Sequence, residues 1–184
     1  MKNIYRFFHT KNGAVIPLIP KCGLASTHSA IFKGQVNGVG SNLIRPKFSH
    51  DNKPALVPIR DPFERFRSAV WQVNRGNADV SVDEILDGLE AGTYFNQHFV
   101  PQSDILATCD GCESVALYRF PEDFKQMLAD GGLDPLSEHR NKSDSKPELT
   151  APQRFRVEAL YREDIELRAK TAPRNNLPSA PRAA

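Results

Sequence analysis

Apolar residues in this chain gather in three short runs, and between the runs they recur at helical spacing. The runs at 14–19 (AVIPLI), 55–59 (ALVPI) and 114–120 (SVALYRF) have strand length and stop at turn-forming residues, so each predicts a buried strand. Proline interrupts two of them. Pro17 and Pro58 can donate no ladder hydrogen bond, and the pattern predicts an irregularity at one of the two. After the second run the period becomes helical, with Phe63, Phe66, Val70 and Val73 on one face. Asp61 suits the cap of that helix, Pro62 its first position and Glu64 its third, a capping box with Asp in place of Ser or Thr. A second helix is expected over 81–91, capped by Ser81 with Glu84 three residues on and with Val82, Ile85, Leu86 and Leu89 inward. Pro121 opens a further helix that runs through Leu128. Residues 151–170 read as one amphipathic helix with Phe155, Leu160, Ile165 and Leu167 among its apolar members. Residues 1–13 read as a polar lead-in anchored by Tyr5, Phe7 and Phe8, residues 34–54 as a long loop, and residues 171–184 as a disordered tail. Strands alternating with helices predict an α/β domain over residues 1–170.

At 184 residues the chain suffices for one core without staples. Its formal charge of +2 comes from Arg174 and Arg182, since acids and bases balance over residues 1–170. That balance argues against a bulk attraction for nucleic acid, so any anion must bind at a local site. No stretch approaches the length of a membrane span, and the first residues lack an apolar run of signal-peptide length, so a cytoplasmic protein is expected. Three cysteines, Cys22, Cys109 and Cys112, suit a reducing compartment better than a disulfide scaffold.

Two turns suggest chemistry. Arg60 closes the second strand just before the capped helix, beside free N–H groups and the positive end of the helix dipole, which suits an anion. Ser68 follows about two turns on. After the first strand comes IPKCGLASTHSAIF, a Gly-containing loop with small hydroxyl residues that leads into a helix and can wrap N–H groups around a phosphate or sulfate. Lys21 supplies the point charge. A Walker A loop is excluded, because the GxxxxGK[ST] order is absent and Cys22 stands where a magnesium-binding hydroxyl is needed. CDGC at 109–112 is half a zinc site at most, and its context is not that of a redox pair.

Several elements resemble, in order, the sulfotransferases that use PAPS (3'-phosphoadenosine 5'-phosphosulfate), most of all the carbohydrate-type branch. Pro20, Lys21, Cys22, Ser26 and Thr27 resemble its 5'-phosphosulfate loop PKCAST, with Gly23 and Leu24 as an insertion. The frame RDPxxRxxS from Arg60 to Ser68 resembles its 3'-phosphate motif. His98, Pro101 and Gln102 resemble its HFxPQ signature, SVALYRF its RFE(D/N)L strand, Asn141 and Ser143 its NxS element, and Tyr161 and Asp164 its LYxxDxxL ending. The resemblance covers roughly residues 14–168 and implies a three-layer sandwich with a small, mainly parallel sheet, the P-loop-like fold of that family, with anion loops at strand carboxyl ends.

It also implies in-line sulfuryl transfer from PAPS to an acceptor hydroxyl, on a carbohydrate for this branch, with no metal. Lys21, Cys22, Gly23, Ser26 and Thr27 would hold the 5' end of the donor, and Arg60 and Ser68 its 3'-phosphate. Lys21 would neutralise the leaving phosphate oxygen, and His98 or His50 would take the acceptor proton. A histidine that merely fixes a loop explains His98 equally, and a solvated or capping side chain explains His50 and His28. Two other classes stay open: a PAP-binding protein (PAP is adenosine 3',5'-bisphosphate) with reduced catalysis, and a metal-dependent phosphoryl-transfer enzyme.

Overall fold

The computed structural model describes residues 7–10, 12–32, 51–75, 79–134 and 145–172. Among these, four strands form one sheet in sequence order: β1 (Phe7–His9), β2 (Val15–Pro17), β3 (Pro54–Arg60) and β4 (Ser114–Phe120). β2 runs parallel to β3 and β3 to β4, while β1 is antiparallel to β2, so the sheet is mixed. β1 corrects the sequence reading, in which Phe7 and Phe8 were only a lead-in. A tight turn brings the chain back: Gly13 takes φ +81°, and the Thr10 N–H and Oγ1–H both donate to Ala14 O. Phe7 and Phe8 then pair with Pro17 and Ile16.

The expected proline irregularity falls between β2 and β3. Their ladder consists of the single bridge Val15↔Ala55, and the Pro17 carbonyl turns instead to accept from Ile19 N–H at 3.0 Å. β3 and β4 by contrast match over their whole length, from Pro54↔Ser114 to Arg60↔Phe120.

Alternation along the strands divides the core between two faces. Ile16, Leu56, Tyr118 and Phe120 point to one face, where they pack with α1 (Leu24–Phe32) and α5 (Phe124–Asp130). Val15, Ala55, Val57 and Ile59 point to the other and meet α4 (Gln102–Leu106), a 3-10 turn at Ala107–Cys109 and α7 (Arg162–Lys170). A third cluster joins α2 (Pro62–Asn74), α3 (Val82–Glu90) and α6 (Ala151–Leu160) through Phe66, Val70, Ile85, Leu86, Val157 and Tyr161. No helix among the described residues is long and apolar enough to cross a membrane.

Two helical expectations change. The predicted helix over 151–170 is two, because Tyr161 leaves helical geometry (φ −119°, ψ 31°) to bury its ring and donate its hydroxyl to Phe99 O at 2.8 Å. Phe155 is 74% exposed, and Val157 takes the inward position. At α2, Asp61 does cap the helix by accepting from Glu64 N–H at 2.9 Å. The reciprocal half of the capping box is missing, since the Glu64 carboxylate goes to Arg67 and Lys146. Ser81 and Glu84 complete a full capping box on α3.

Candidate functional site

β2 and β3 are adjacent and parallel, so the turns that follow them emerge on the same edge of the sheet, the usual ligand edge of such sheets. This topology brings the two predicted anion turns into contact. Arg60 Nη1 donates to Lys21 O at 2.6 Å, and Arg65 Nε donates to Pro20 O at 3.2 Å. Lys21 itself sits at φ +67°, a left-handed conformation that costs a non-glycine residue roughly 1–2 kcal/mol. Its ammonium group lies 5.6 Å from the centre of the Trp71 ring and donates to Gln72 Oε1 at 3.4 Å. Arg75 is 5.3 Å from the same ring centre.

Among the described residues no carboxylate pairs with Lys21. Burial first, then the charges of Arg60, Lys146 and Arg75, lower its pKa from the usual 10.5 to about 8. Burial and like charges together disfavour its ammonium form, and an anion beside it would favour that form.

Arg60 is held from behind by Gln102, which is wholly buried. The Gln102 amide accepts from Arg60 N–H at 2.9 Å and donates to Arg60 O at 3.0 Å, fixing the end of β3 on both its backbone groups. Gln102 is in turn fixed by Asp164. That carboxylate accepts from Gln102 N–H at 2.9 Å, Gln102 Nε2 at 3.3 Å and Ser103 N–H at 2.8 Å. Arg65 balances it at 4.0 Å, with both side chains almost sealed from solvent (2% and 0% exposed). Arg65 Nη2 also donates to Val100 O at 2.6 Å. The HFVPQ segment and Asp164 therefore form a buried polar hub behind Arg60. The Gln102 amide is thus consumed inside the protein, where it fixes the loop instead of meeting a substrate.

The predicted site residues separate into two groups. Lys21 and Arg60 lie together, and His98 is near enough to feel the charges of Lys21 and Arg65, which, after burial itself, hold its pKa below the usual histidine value. His98 Nδ1 is buried without a hydrogen-bond partner. Ser26 in the first turn of α1 is likewise buried, with its hydroxyl unpartnered.

Cys22, Gly23 and Thr27 serve the loop rather than facing outward. Cys22 N–H donates to Ile19 O, its thiol donates to Gln102 Oε1 at 3.2 Å, and burial pushes that thiol up to about 11. Gly23 has φ +80°, and a Cβ there would lie 2.6 Å from Phe120 Cε2 and 2.8 Å from Phe124 Cε2, so glycine is required by packing. Thr27 is buried, and its N–H makes the first turn of α1 with Gly23 O. Ser68 is 2% exposed on α2, one turn from Glu64 and one from Gln72. His50, Asn141 and Ser143 lie outside the described residues, as does the side chain of His28.

Sequence reasoning passed over Arg65 and Lys146, and gave Glu64 a capping role alone. Arg65 stands inside the RDPxxRxxS frame, and a charged residue on the apolar side of a helix is the signal that identifies it. Lys146 carries no signal, since nothing in SKPELT indicates that it folds against Glu64. Cys109 and Cys112 belong to the other end of the sheet. Their turn is fastened just before β3 through Asn52 N–H to Gly111 O and Glu113 N–H to Lys53 O, and seven strand residues, roughly 20 Å, separate it from Arg60. Burial pushes the Cys109 thiol up to about 12. Among the described residues no group of His, Cys, Asp or Glu is arranged to hold a metal ion. Compared with family models, with curated proteins and with solved structures, the chain matches none of them.

Proposed function

We propose that this protein is a PAPS-dependent sulfotransferase that moves a sulfuryl group to an acceptor hydroxyl, on a carbohydrate. The observation that carries the reading is the 2.6 Å bond from Arg60 Nη1 to Lys21 O, which joins the two anion turns into one cationic surface. One nucleotide with phosphates at both its 5' and 3' positions can span turns that touch. The Lys21 ammonium, depressed to about 8 by burial and by Arg60, gains its natural partner when an anion arrives. The orphaned Ser26 hydroxyl is a further donor that a phosphate oxygen would satisfy; left alone, such a group costs about 1–3 kcal/mol.

The donor supplies an activated sulfuryl group and a phosphate leaving group. Lys21 and the free N–H groups at the start of α1 stabilise negative charge growing on the leaving oxygen. The Arg60 guanidinium, braced by Gln102, fixes the 3'-phosphate and so the register of the donor. His98 is held neutral by its surroundings and accepts the acceptor proton at Nε2, because Nδ1 is closed off from solvent. The three free thiols suit the reducing cytoplasm, where we place the activity.

Calorimetry with PAP on the wild type and on Arg60→Ala tests this. Loss of a charge-assisted phosphate contact weakens binding by about 1.5–3 kcal/mol, roughly 10- to 150-fold. Equal affinity for the two proteins removes Arg60 from the site, and absence of PAP binding to the wild type removes the reading.

A further inference from the structure

The cationic surface already holds one anion of its own. The Glu64 carboxylate accepts from Lys146 Nζ at 2.8 Å through Oε2 and from Arg67 Nη1 at 2.7 Å through Oε1, and Oε2 also stands 4.0 Å from Arg60 Nη2. One oxygen is thus shared between the arginine that ends β3 and a lysine from a distant segment, which is how a phosphate oxygen bridges two cations.

Lys146 is not a loose surface charge. Its side chain is only 18% exposed, and the residues after it are pinned to α2. Arg67 Nε donates to Pro147 O at 2.7 Å, and Arg67 Nη2 pairs with Glu148. Arg67 therefore clamps the segment while Glu64 holds the ammonium group at the rim of the site. The Glu64 side chain is 43% exposed and its carboxylate meets the side chains of Lys146, Arg67 and Arg60, so it can swing outward while its backbone stays in α2. Lys146 also acts on Lys21, as its charge is among those that depress the Lys21 pKa.

We propose that Lys146 is a further phosphate contact of this site and that Glu64 is the internal counter-ion which a phosphate group displaces. The proposal deepens the sulfotransferase reading and rests on it for the identity of the ligand. In it, a phosphate group takes the place of the Glu64 carboxylate between Arg60 and Lys146. The carboxylate then competes with every anion that enters.

The test is calorimetry on the full chain with two probes, PAP and inorganic pyrophosphate, for the wild type, Lys146→Met, Lys146→Arg and Glu64→Gln. Lys146→Met is expected to weaken both probes about tenfold, Lys146→Arg to restore most of that loss, and Glu64→Gln to tighten both several-fold. Wild-type affinity in Lys146→Met overturns the proposal, as do equal losses in Lys146→Met and Lys146→Arg, which would make the role one of shape rather than charge. Weaker binding in Glu64→Gln overturns the counter-ion role. A wild type that binds pyrophosphate but not PAP defeats the nucleotide reading while the pyrophosphate series still decides the role of Lys146. A wild type that binds neither defeats both.

Discussion

Raising the pH should strip the proposed site of its central charge well before ordinary lysines titrate. Lys21 is lowered from 10.5 to about 8 by burial and by neighbouring cations, and the charge of an anion bound against its ammonium opposes that shift. The sign follows from linkage: the complex binds the Lys21 proton more tightly than the free protein does, so affinity is full below about pH 8 and falls above it. With a free value of about 8 and the Lys21 proton retained in the complex, affinity for PAP drops roughly tenfold between about pH 7 and about pH 9. At about pH 8, close to half a proton is taken up per molecule bound.

Calorimetry in two buffers of different ionisation enthalpy reads that proton directly. The phosphates of the ligand are already ionised at this pH, and His98, held below its usual value, is neutral. Lys21→Met should remove both the proton uptake and the pH dependence. Binding without proton uptake at about pH 8, or an undiminished pH dependence in Lys21→Met, refutes the reasoning.

Three further outcomes follow from the packing behind the site. Asp164→Ala leaves Arg65 buried without its counter-charge and strips an acceptor from Gln102 and Ser103, so it should destabilise the protein by about 3–5 kcal/mol and lower the melting temperature by roughly 6–20 °C in thermal unfolding. A change of under about 2 °C would show that the hub carries little stability. Gly23→Ala should cost at least about 1–3 kcal/mol in denaturant unfolding, since its Cβ meets Phe120 and Phe124 at 2.6–2.9 Å and φ is +80°. Under native conditions a thiol reagent should modify Cys112 first, because Cys22 and Cys109 are both buried, with thiols raised to about 11 and about 12. Mass spectrometry of the partly labelled protein checks the order, and early modification of Cys22 would contradict it.

The elements set by local chemistry were legible in the chain itself. Asp61 and Pro62 announce the start of α2, Ser81 and Glu84 that of α3, and the apolar runs at 55–59 and 114–120 give β3 and β4 with small changes at their ends. Elements that depend on distant partners were not. Phe7 and Phe8 form a strand only because Gly13 folds them back onto β2, and Tyr161 breaks its helix only because the Phe99 carbonyl waits for its hydroxyl.

The candidate site divides along the same line. Lys21 and Arg60 could be picked out because each follows an apolar run at a turn, and the adjacency of two parallel strands then brings them together. Gln102 has the opposite history. An amide beside a histidine suggests substrate contact, yet the hydrogen bonds it makes across 42 residues to Arg60 and 62 residues to Asp164 turn it inward. Long-range pairing of that kind leaves no trace in residue spacing. Lys146 escapes for the same reason, as its partner Glu64 lies 82 residues earlier.

The central claim is that the Lys21 turn and Arg60 form one site for a nucleotide carrying phosphate at both its 5' and 3' positions. Comparing the affinities of the wild type for PAP and for adenosine 5'-monophosphate, by competition in a single assay, tests it most directly. The account predicts that PAP binds at least about tenfold more tightly and that Arg60→Ala erases the difference. Equal affinity of the wild type for the two nucleotides, or a preference that survives the loss of Arg60, would contradict it.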